Sequence, residues 1–126
     1  MRNEKTIKIF GYHASFDLGG CNDRISSEQD LKEYAFELCK VIKMKPYGEP
    51  LIPYFGHKSK TTKGYSLLQF VETSSITGHF SEYYKSAHID IFSCKKFDAD
   101  VAMLFTKKFF DSDTILGMNQ MVRYCK

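Results

Sequence analysis

"YSLLQFVETSSITGHF", residues 65–80, contains the pattern that decides the predicted fold. Its first half, residues 65–72, is a short run rich in aromatic and aliphatic side chains, which predicts a β-strand. Directly after this run come three consecutive hydroxyl residues, Thr73, Ser74 and Ser75. Small hydroxyl residues followed by a glycine are typical of turns, so we predict a turn that carries Ser74 and His79.

Similar patterns predict four more strands around this one. Alternating apolar residues indicate strands over 6–18 and 88–94. Prolines close to residues 51–55 limit any strand there to a short or edge strand. A last strand over 113–124 is predicted by its apolar residues, which include Ile115 and Val122.

Two amphipathic helices complete the prediction. Ser27 precedes a helical pattern over 28–44, which ends before Pro46. Asp98 can cap a second helix, whose apolar residues are Val101, Leu104, Phe105 and Phe109. The order β-α-β-β-β-α-β predicts an α+β fold: a two-layer α/β sandwich, with a mainly antiparallel sheet and two helices on one face. We expect a single domain over residues 1–126.

Composition excludes several classes of function. The net charge of +3 is small and the lysines are mostly scattered, so we expect no binding to nucleic acid. No apolar stretch reaches membrane-spanning length, and the N-terminus does not resemble a signal peptide. The four cysteines show no CxxC pair, which predicts no metal site and reduced thiols in the cytoplasm.

Four residues could carry chemistry if the two central strands form a hairpin: Ser66, Ser74, His79 and Cys94. They would then converge at one end of the sheet. Together these side chains supply a nucleophile, a base and a proton donor.

The same residues carry a resemblance to a known family. FDLGGC, residues 16–21, resembles the motif LDLYGC, and IDIFSC, residues 89–94, resembles VDVFTC. The spacing from Ser66 to Cys94 also fits without a gap. Over about residues 8–112 the chain resembles the prokaryotic S-adenosylmethionine decarboxylases, which are pyruvoyl enzymes.

The resemblance implies a mechanism and a role for each residue. Cleavage between Thr73 and Ser74 would convert Ser74 into a pyruvoyl group, with Ser66 and His79 as oxyanion donor and processing base. The pyruvoyl carbonyl would form a Schiff base with the amine of S-adenosylmethionine and accept electrons during loss of CO₂, in spermidine (polyamine) biosynthesis. Cys94 would return a proton to the substrate. No metal is implied.

Departures from the family pattern keep other functions open. The chain reads Thr73-Ser74-Ser75 where the family usually has Glu-Ser-His, and Ser75 is a second candidate nucleophile. The aromatic residue that would stack on adenine has no clear match, although Phe55 or Tyr54 could serve, and Glu82 could bind the ribose or amine. Arginine or ornithine are therefore alternative substrates. A third possibility is an unprocessed, catalytically silent homologue that acts as a partner subunit.

The predicted strands also suggest an assembly. Apolar residues stand at both odd and even positions of the predicted strands, for example Leu67 and Leu68. They cannot all face one helix layer, because successive side chains point to opposite faces of a sheet. The resemblance implies a homodimer in which both chains complete each substrate pocket. We expect a mass near twice 14.6 kDa.

Overall fold

The computed structural model describes residues 6–126 and has the predicted α+β fold. One antiparallel sheet contains six strands in the order β2-β3-β4-β5-β1-β6. The strands are β1 (Lys8–Gly19), β2 (Tyr54–Phe55), β3 (Gly64–Val71), β4 (Ser74–Ser81), β5 (Ser86–Ser93) and β6 (Thr114–Cys125). The helices are α1 (Glu28–Val41) and α2 (Ala99–Phe109).

The predicted turn at residues 73–79 is wrong, because Ser74 begins strand β4. Val71 pairs directly with Ser74, so the turn is only the two residues Glu72 and Thr73. Ile76 and Phe80 alternate with polar residues and are buried, which is the pattern of a strand with one covered face. Of the hydroxyl residues in this segment, Ser75 and Thr77 are on the polar face, whereas Ser74 lies on the same face as Ile76. The sheet therefore has one strand more than predicted.

Both helices begin at the predicted caps. The Ser27 side chain accepts a hydrogen bond from the Asp30 amide at 3.2 Å, and Asp98 accepts one from the Val101 amide at 3.0 Å. Helix α1 ends at Val41, three residues before the predicted end. In α2 the apolar residues Val101 and Leu104 are exposed, and the buried positions are Ala99, Ala102, Met103 and Thr106.

The core lies between the two helices and one face of the sheet. Phe16, Ile76 and Ile91 from three adjacent strands are fully buried there. Tyr34 of α1 is also fully buried, and its hydroxyl lies 2.7 Å from the Thr106 hydroxyl of α2. This contact satisfies both polar groups in the core and joins the two helices.

The opposite side of the sheet, called the helix-free face below, is mostly polar. On the central strands it carries Ser66, Leu68 and Phe70 of β3, with Ser75, Thr77 and His79 of β4. On the neighbouring strands it carries His88, Asp90 and Phe92 of β5, with His13, Ser15 and Asp17 of β1. Within residues 6–126, no helix has the length and apolar character needed to cross a membrane.

Candidate active site

Ser74 follows a strained residue. Thr73 has φ of +64°, in the left-handed region where a β-branched side chain is strongly disfavoured. Such a conformation costs on the order of 1–3 kcal/mol and persists only where surrounding contacts enforce it. The strain is located at the residue whose carbonyl carbon is joined to the Ser74 nitrogen.

The end of β5 contacts both sides of this peptide bond. The Ser74 hydroxyl donates a hydrogen bond of 2.6 Å to Oγ of Ser93, which lies directly opposite on β5 and is fully buried. The next residue, Cys94, donates its backbone N–H to the Thr73 carbonyl oxygen at 3.1 Å. Ser93 thus holds the Ser74 hydroxyl, the candidate nucleophile, and the next residue, Cys94, holds the adjacent Thr73 carbonyl.

Ser66 and His79 form a separate pair on the helix-free face. They are direct partners across β3 and β4, and the distance from Ser66 Oγ to His79 Nδ1 is 2.9 Å. Their positions follow from the hairpin register, which is counted from the turn at Glu72 and Thr73. The pair can hold or move a proton above the sheet surface.

The Ser66–His79 pair does not meet Ser74 and Cys94 within one chain. His79 is five residues beyond Ser74 on the same strand, a distance of about 17 Å at the usual strand rise. An odd separation also places their side chains on opposite faces of the sheet, and Ser74 faces the helix layer. The expected convergence of Ser66, Ser74, His79 and Cys94 at one end of the sheet is therefore wrong for a single chain. It assumed a turn where the chain forms a strand.

A second histidine lies beside His79. His88 pairs with His79 across β4 and β5, its Nδ1 donates to the Asp17 carboxylate at 2.7 Å, and its Nε2 lies 2.9 Å from Ser86 Oγ. Both ring nitrogens of His88 have a hydrogen-bond partner, so Asp17 and Ser86 together fix the orientation of the imidazole. Ser86 is buried, which prevents it from acting as an accessible nucleophile. Sequence inspection missed these contacts because Asp17 and His88 are far apart along the chain.

A pocket of about 200 Å³ lies over the Ser66–His79 pair. Phe55 of β2 forms part of its wall together with His88, and the Phe55 side chain is 58% exposed. Close to this pocket, the Tyr54 hydroxyl donates to the Glu82 carboxylate. That hydrogen bond raises the pKa of Tyr54 to about 12. Phe55 therefore lies beside the Ser66–His79 pair, and Glu82 is hydrogen-bonded to Tyr54, the neighbour of Phe55 in the chain.

A second pocket, of about 320 Å³, lies beside the Thr73–Ser74 peptide. Three lysines line it, Lys43, Lys45 and Lys95, against one carboxylate, Glu72. Lys95 is held in place because its ammonium group donates to the Lys43 carbonyl oxygen at 3.2 Å. The surroundings of Ser74 are consequently electropositive, which favours an anionic group in this pocket.

The four cysteines fall into two classes. Burial raises the pKa of the Cys21 thiol and of the Cys39 thiol to about 11 each, so both stay protonated near neutral pH. Cys94 and Cys125 are exposed, and Cys94 lies next to the Ser74 pocket. In the described part of the chain, no group of three or more histidine, cysteine, aspartate or glutamate residues could hold a metal ion.

Comparison with known proteins agrees with this fold. The crystal structure of the adenosylmethionine decarboxylase from Aquifex aeolicus VF5 matches with a TM-score of 0.69 and 19% sequence identity, covering 92% of this chain and 90% of that chain. A search of curated proteins found no match. The family model for S-adenosylmethionine decarboxylase matches residues 12–123, nearly the whole sequence. The chain therefore belongs to the S-adenosylmethionine decarboxylase family.

Proposed function

We propose that this chain is a pyruvoyl-dependent decarboxylase that forms by self-cleavage between Thr73 and Ser74 and acts on S-adenosylmethionine in spermidine biosynthesis. One observation carries the proposal: a strained Thr73 whose carbonyl oxygen accepts the Cys94 N–H, directly before a Ser74 hydroxyl held by Ser93. These are the features that self-cleavage needs, namely a strained peptide, an oxyanion donor and an oriented nucleophile. We also propose that the protein works in the cytoplasm.

The first step makes an ester from the peptide bond. Oγ of Ser74 attacks the Thr73 carbonyl carbon, the bond from that carbon to the Ser74 nitrogen breaks, and the hydroxyl proton moves to this nitrogen. Negative charge develops on the Thr73 oxygen during the attack, where the Cys94 N–H already donates. The strain at Thr73 is released when the peptide opens, which lowers the cost of this step.

The second step cuts the chain. A base removes the α-proton of Ser74, and the bond between its Cβ and Oγ breaks, which releases the Thr73 carboxylate. The dehydroalanine left at residue 74 takes up water and loses ammonia, which leaves a pyruvoyl group at the new N-terminus. We assign His79 as the base and Ser66, hydrogen-bonded to its ring, as its partner, in place of the oxyanion role that the resemblance implied for Ser66.

The distance between the pairs leads us to propose a shared site in a homodimer. His79 cannot reach Ser74 of its own chain, because about 17 Å and the thickness of the sheet separate them. A two-fold axis that runs above the helix-free face, perpendicular to β4 and over its midpoint near Thr77, would stack the β4 strands of two protomers in opposite directions. Ser66 and His79 of one protomer would then lie over the Thr73–Ser74 backbone of the other, where the Ser74 α-proton, not its hydroxyl, is the atom that His79 has to reach.

Exposed aromatic residues on the helix-free face support this contact. Phe10 and Phe92 stack with ring centroids 6.1 Å apart, and Phe70 is 53% exposed two strands away. Two exposed rings, Phe10 and Phe70, on either side of the half-buried Phe92 on a mostly polar face, are typical of an interface. A second copy would cover it with the same face, as closed two-fold dimers do.

The processed chain would use the remaining residues on the substrate. The pyruvoyl group supplies the electron sink for loss of CO₂. We assign Cys94 to return the proton, because it is exposed and follows directly on β5, with its backbone N–H on the Thr73 carbonyl oxygen. We assign Phe55 to contact the base of the nucleoside, because its exposed ring borders the pocket above Ser66 and His79. Glu82, held by Tyr54, is assigned to the ribose or amine.

Intact-mass spectrometry and a CO₂-release assay together test the proposal. We expect fragments of 73 and 53 residues, the smaller one with a pyruvoyl N-terminus, and CO₂ from carboxyl-labelled S-adenosylmethionine. If CO₂ is released from labelled arginine or ornithine instead, the proposed cleavage chemistry would stand and the proposed substrate would be replaced. A chain that stays at 14.6 kDa and releases no CO₂ would identify a silent partner subunit and refute the proposal. Ser74→Ala is the control for cleavage at this bond.

A further inference from the structure

Ser93 forms and breaks no bond in the steps described so far, yet its hydroxyl contacts the proposed nucleophile. Its Oγ accepts the Ser74 hydroxyl at 2.6 Å and the Lys95 backbone N–H at 2.9 Å. Ser93 is fully buried and lies in a regular strand, so its side chain is held from several directions. A buried hydroxyl with two donors fixes the orientation of whichever group it accepts from.

Ser75 has a very different environment. Its side chain lies on the helix-free face, where its cross-strand neighbours are Phe70 on β3 and Phe92 on β5. Neither ring offers an oxygen or nitrogen acceptor for the Ser75 hydroxyl. Among residues 6–126 no partner for this hydroxyl is present, whereas the Ser74 hydroxyl has one of the shortest contacts in the sheet.

We propose that Ser93 is a positioning residue for self-cleavage, which selects Ser74 over Ser75 by orienting its Oγ toward the Thr73 carbonyl. The inference rests on the proposed function. Ser93 and Cys94 then act as consecutive parts of one clamp: the Ser93 hydroxyl holds the nucleophile and the Cys94 N–H holds the oxygen of the carbonyl under attack. Ser93 itself forms no bond during the ester step. The proton of Ser74 ends on the nitrogen that leaves the Thr73 carbon.

A matched pair of variants separates the hydroxyl from the shape of the side chain. Ser93→Thr keeps the acceptor oxygen and adds a methyl group, while Ser93→Val has nearly the same shape as threonine without that oxygen. We expect Ser93→Val to slow cleavage by about 10- to 100-fold, the usual effect of a misplaced reacting group. Ser93→Thr should stay within about threefold of the native rate, because its Oγ can still accept from Ser74.

The rate is measured by intact mass after synthesis of the chain, with the thermal midpoint of each variant as the check on folding. Equal rates for Ser93→Val and the native chain would overturn the inference, as would equal slowing of the Thr and Val variants. A native chain that never cleaves would refute the proposed function and the role of Ser93 with it. If the native chain cleaves and Ser93→Val cleaves at the same rate, only the inference about Ser93 is refuted.

A second measurement is made before cleavage sets in, on chains freshly refolded from denaturant. In chains carrying Ser74→Ala, Ser93→Ala, or both substitutions, the unfolding constants form a double-mutant cycle against the native chain that is still intact. A direct hydrogen bond predicts a coupling of about fivefold in the unfolding constant. Additive effects would show that the two hydroxyls do not interact and would overturn the inference even if cleavage is normal.

Discussion

Ser66 and His79 lie directly opposite each other on β3 and β4, with Ser66 Oγ 2.9 Å from His79 Nδ1. The same hairpin carries Ser74 at its turn, five residues from His79 and on the other face of the sheet. One hairpin therefore carries the proposed proton-transfer pair at one end and the proposed nucleophile at the other. Each proposed site therefore combines the Ser66–His79 end of the hairpin in one chain with the Ser74 end in the other.

Complementation tests this shared site. Ser74→Ala keeps the Ser66–His79 pair, and His79→Ala keeps Ser74, so neither variant should process alone. When the two are co-expressed, a mixed dimer has one complete site. With random pairing we expect about half of the His79→Ala chains to be cut. A mass tag on one variant identifies which chain is cleaved, and no cleavage in the mixture would argue against a site shared between chains.

The position of the cut distinguishes two neighbouring serines. Ser74→Ala should abolish cleavage and leave the thermal midpoint within a few degrees of native, because the lost hydrogen bond to Ser93 is worth only about 1 kcal/mol. Ser75→Ala is the matched control, one residue away on the other face, and should still give fragments of 73 and 53 residues. Mass spectrometry reads both results. The reverse pattern would move the reacting serine by one residue.

His79 and Cys94 should fail at different stages. His79→Ala removes the base for the Ser74 α-proton, so the ester should form and remain, with an unchanged intact mass. Hydroxylamine splits esters and should release the two fragments from this variant. Cys94→Ala keeps the backbone N–H that holds the Thr73 oxygen, so it should cleave at least in part and lose CO₂ release by at least about 100-fold. Equal loss of cleavage in both variants contradicts this division.

The aromatic residues of the helix-free face should control assembly. We expect the native chain to scatter light as a dimer near twice 14.6 kDa at micromolar concentration. Phe70→Glu introduces a charge into the proposed interface without disturbing the core, since Phe70 is 53% exposed, and should yield a monomer that does not process. Leu104→Glu is the control, because Leu104 is similarly exposed on the helix side. A native monomer, or a Phe70→Glu dimer, would rule out this interface.

The buried thiols predict how stability depends on pH. Folding raises the pKa of Cys21 and of Cys39 to about 11 from the ordinary thiol value of 9.0, because burial disfavours the thiolate. The unfolded chain loses these protons first, so the contribution of the two thiols to the free energy of unfolding should be constant below about pH 9 and fall as the pH rises toward 11.

Urea unfolding at pH values from 8 to about 11 measures this decline. Cys39→Ala should make it shallower, and Cys125→Ala, at an exposed position, should leave it unchanged. The same slope for the native chain and for Cys39→Ala would show that this thiol is not responsible.

The sequence by itself determined the class of fold, both helix starts and most of the strands, because these depend on local signals. Ser27 and Asp98 cap helices through side chains three residues from their targets. Alternating apolar residues mark β1 and β5, and a short apolar run marks β3. The spacing of Ser66, Ser74, His79 and Cys94, with the motifs around it, also indicated the family, and the family model confirms that prediction.

Only the tertiary structure decided which of those residues meet. The hydroxyl-rich segment after Thr73 reads locally as a turn, but pairing with β3 and β5 on both sides makes it a central strand. That pairing divides the four candidates into two distant pairs, brings Ser93 against Ser74, and joins His88 to Asp17. These contacts link strands that are far apart in sequence, and side-chain direction depends on register, which no single segment specifies by itself.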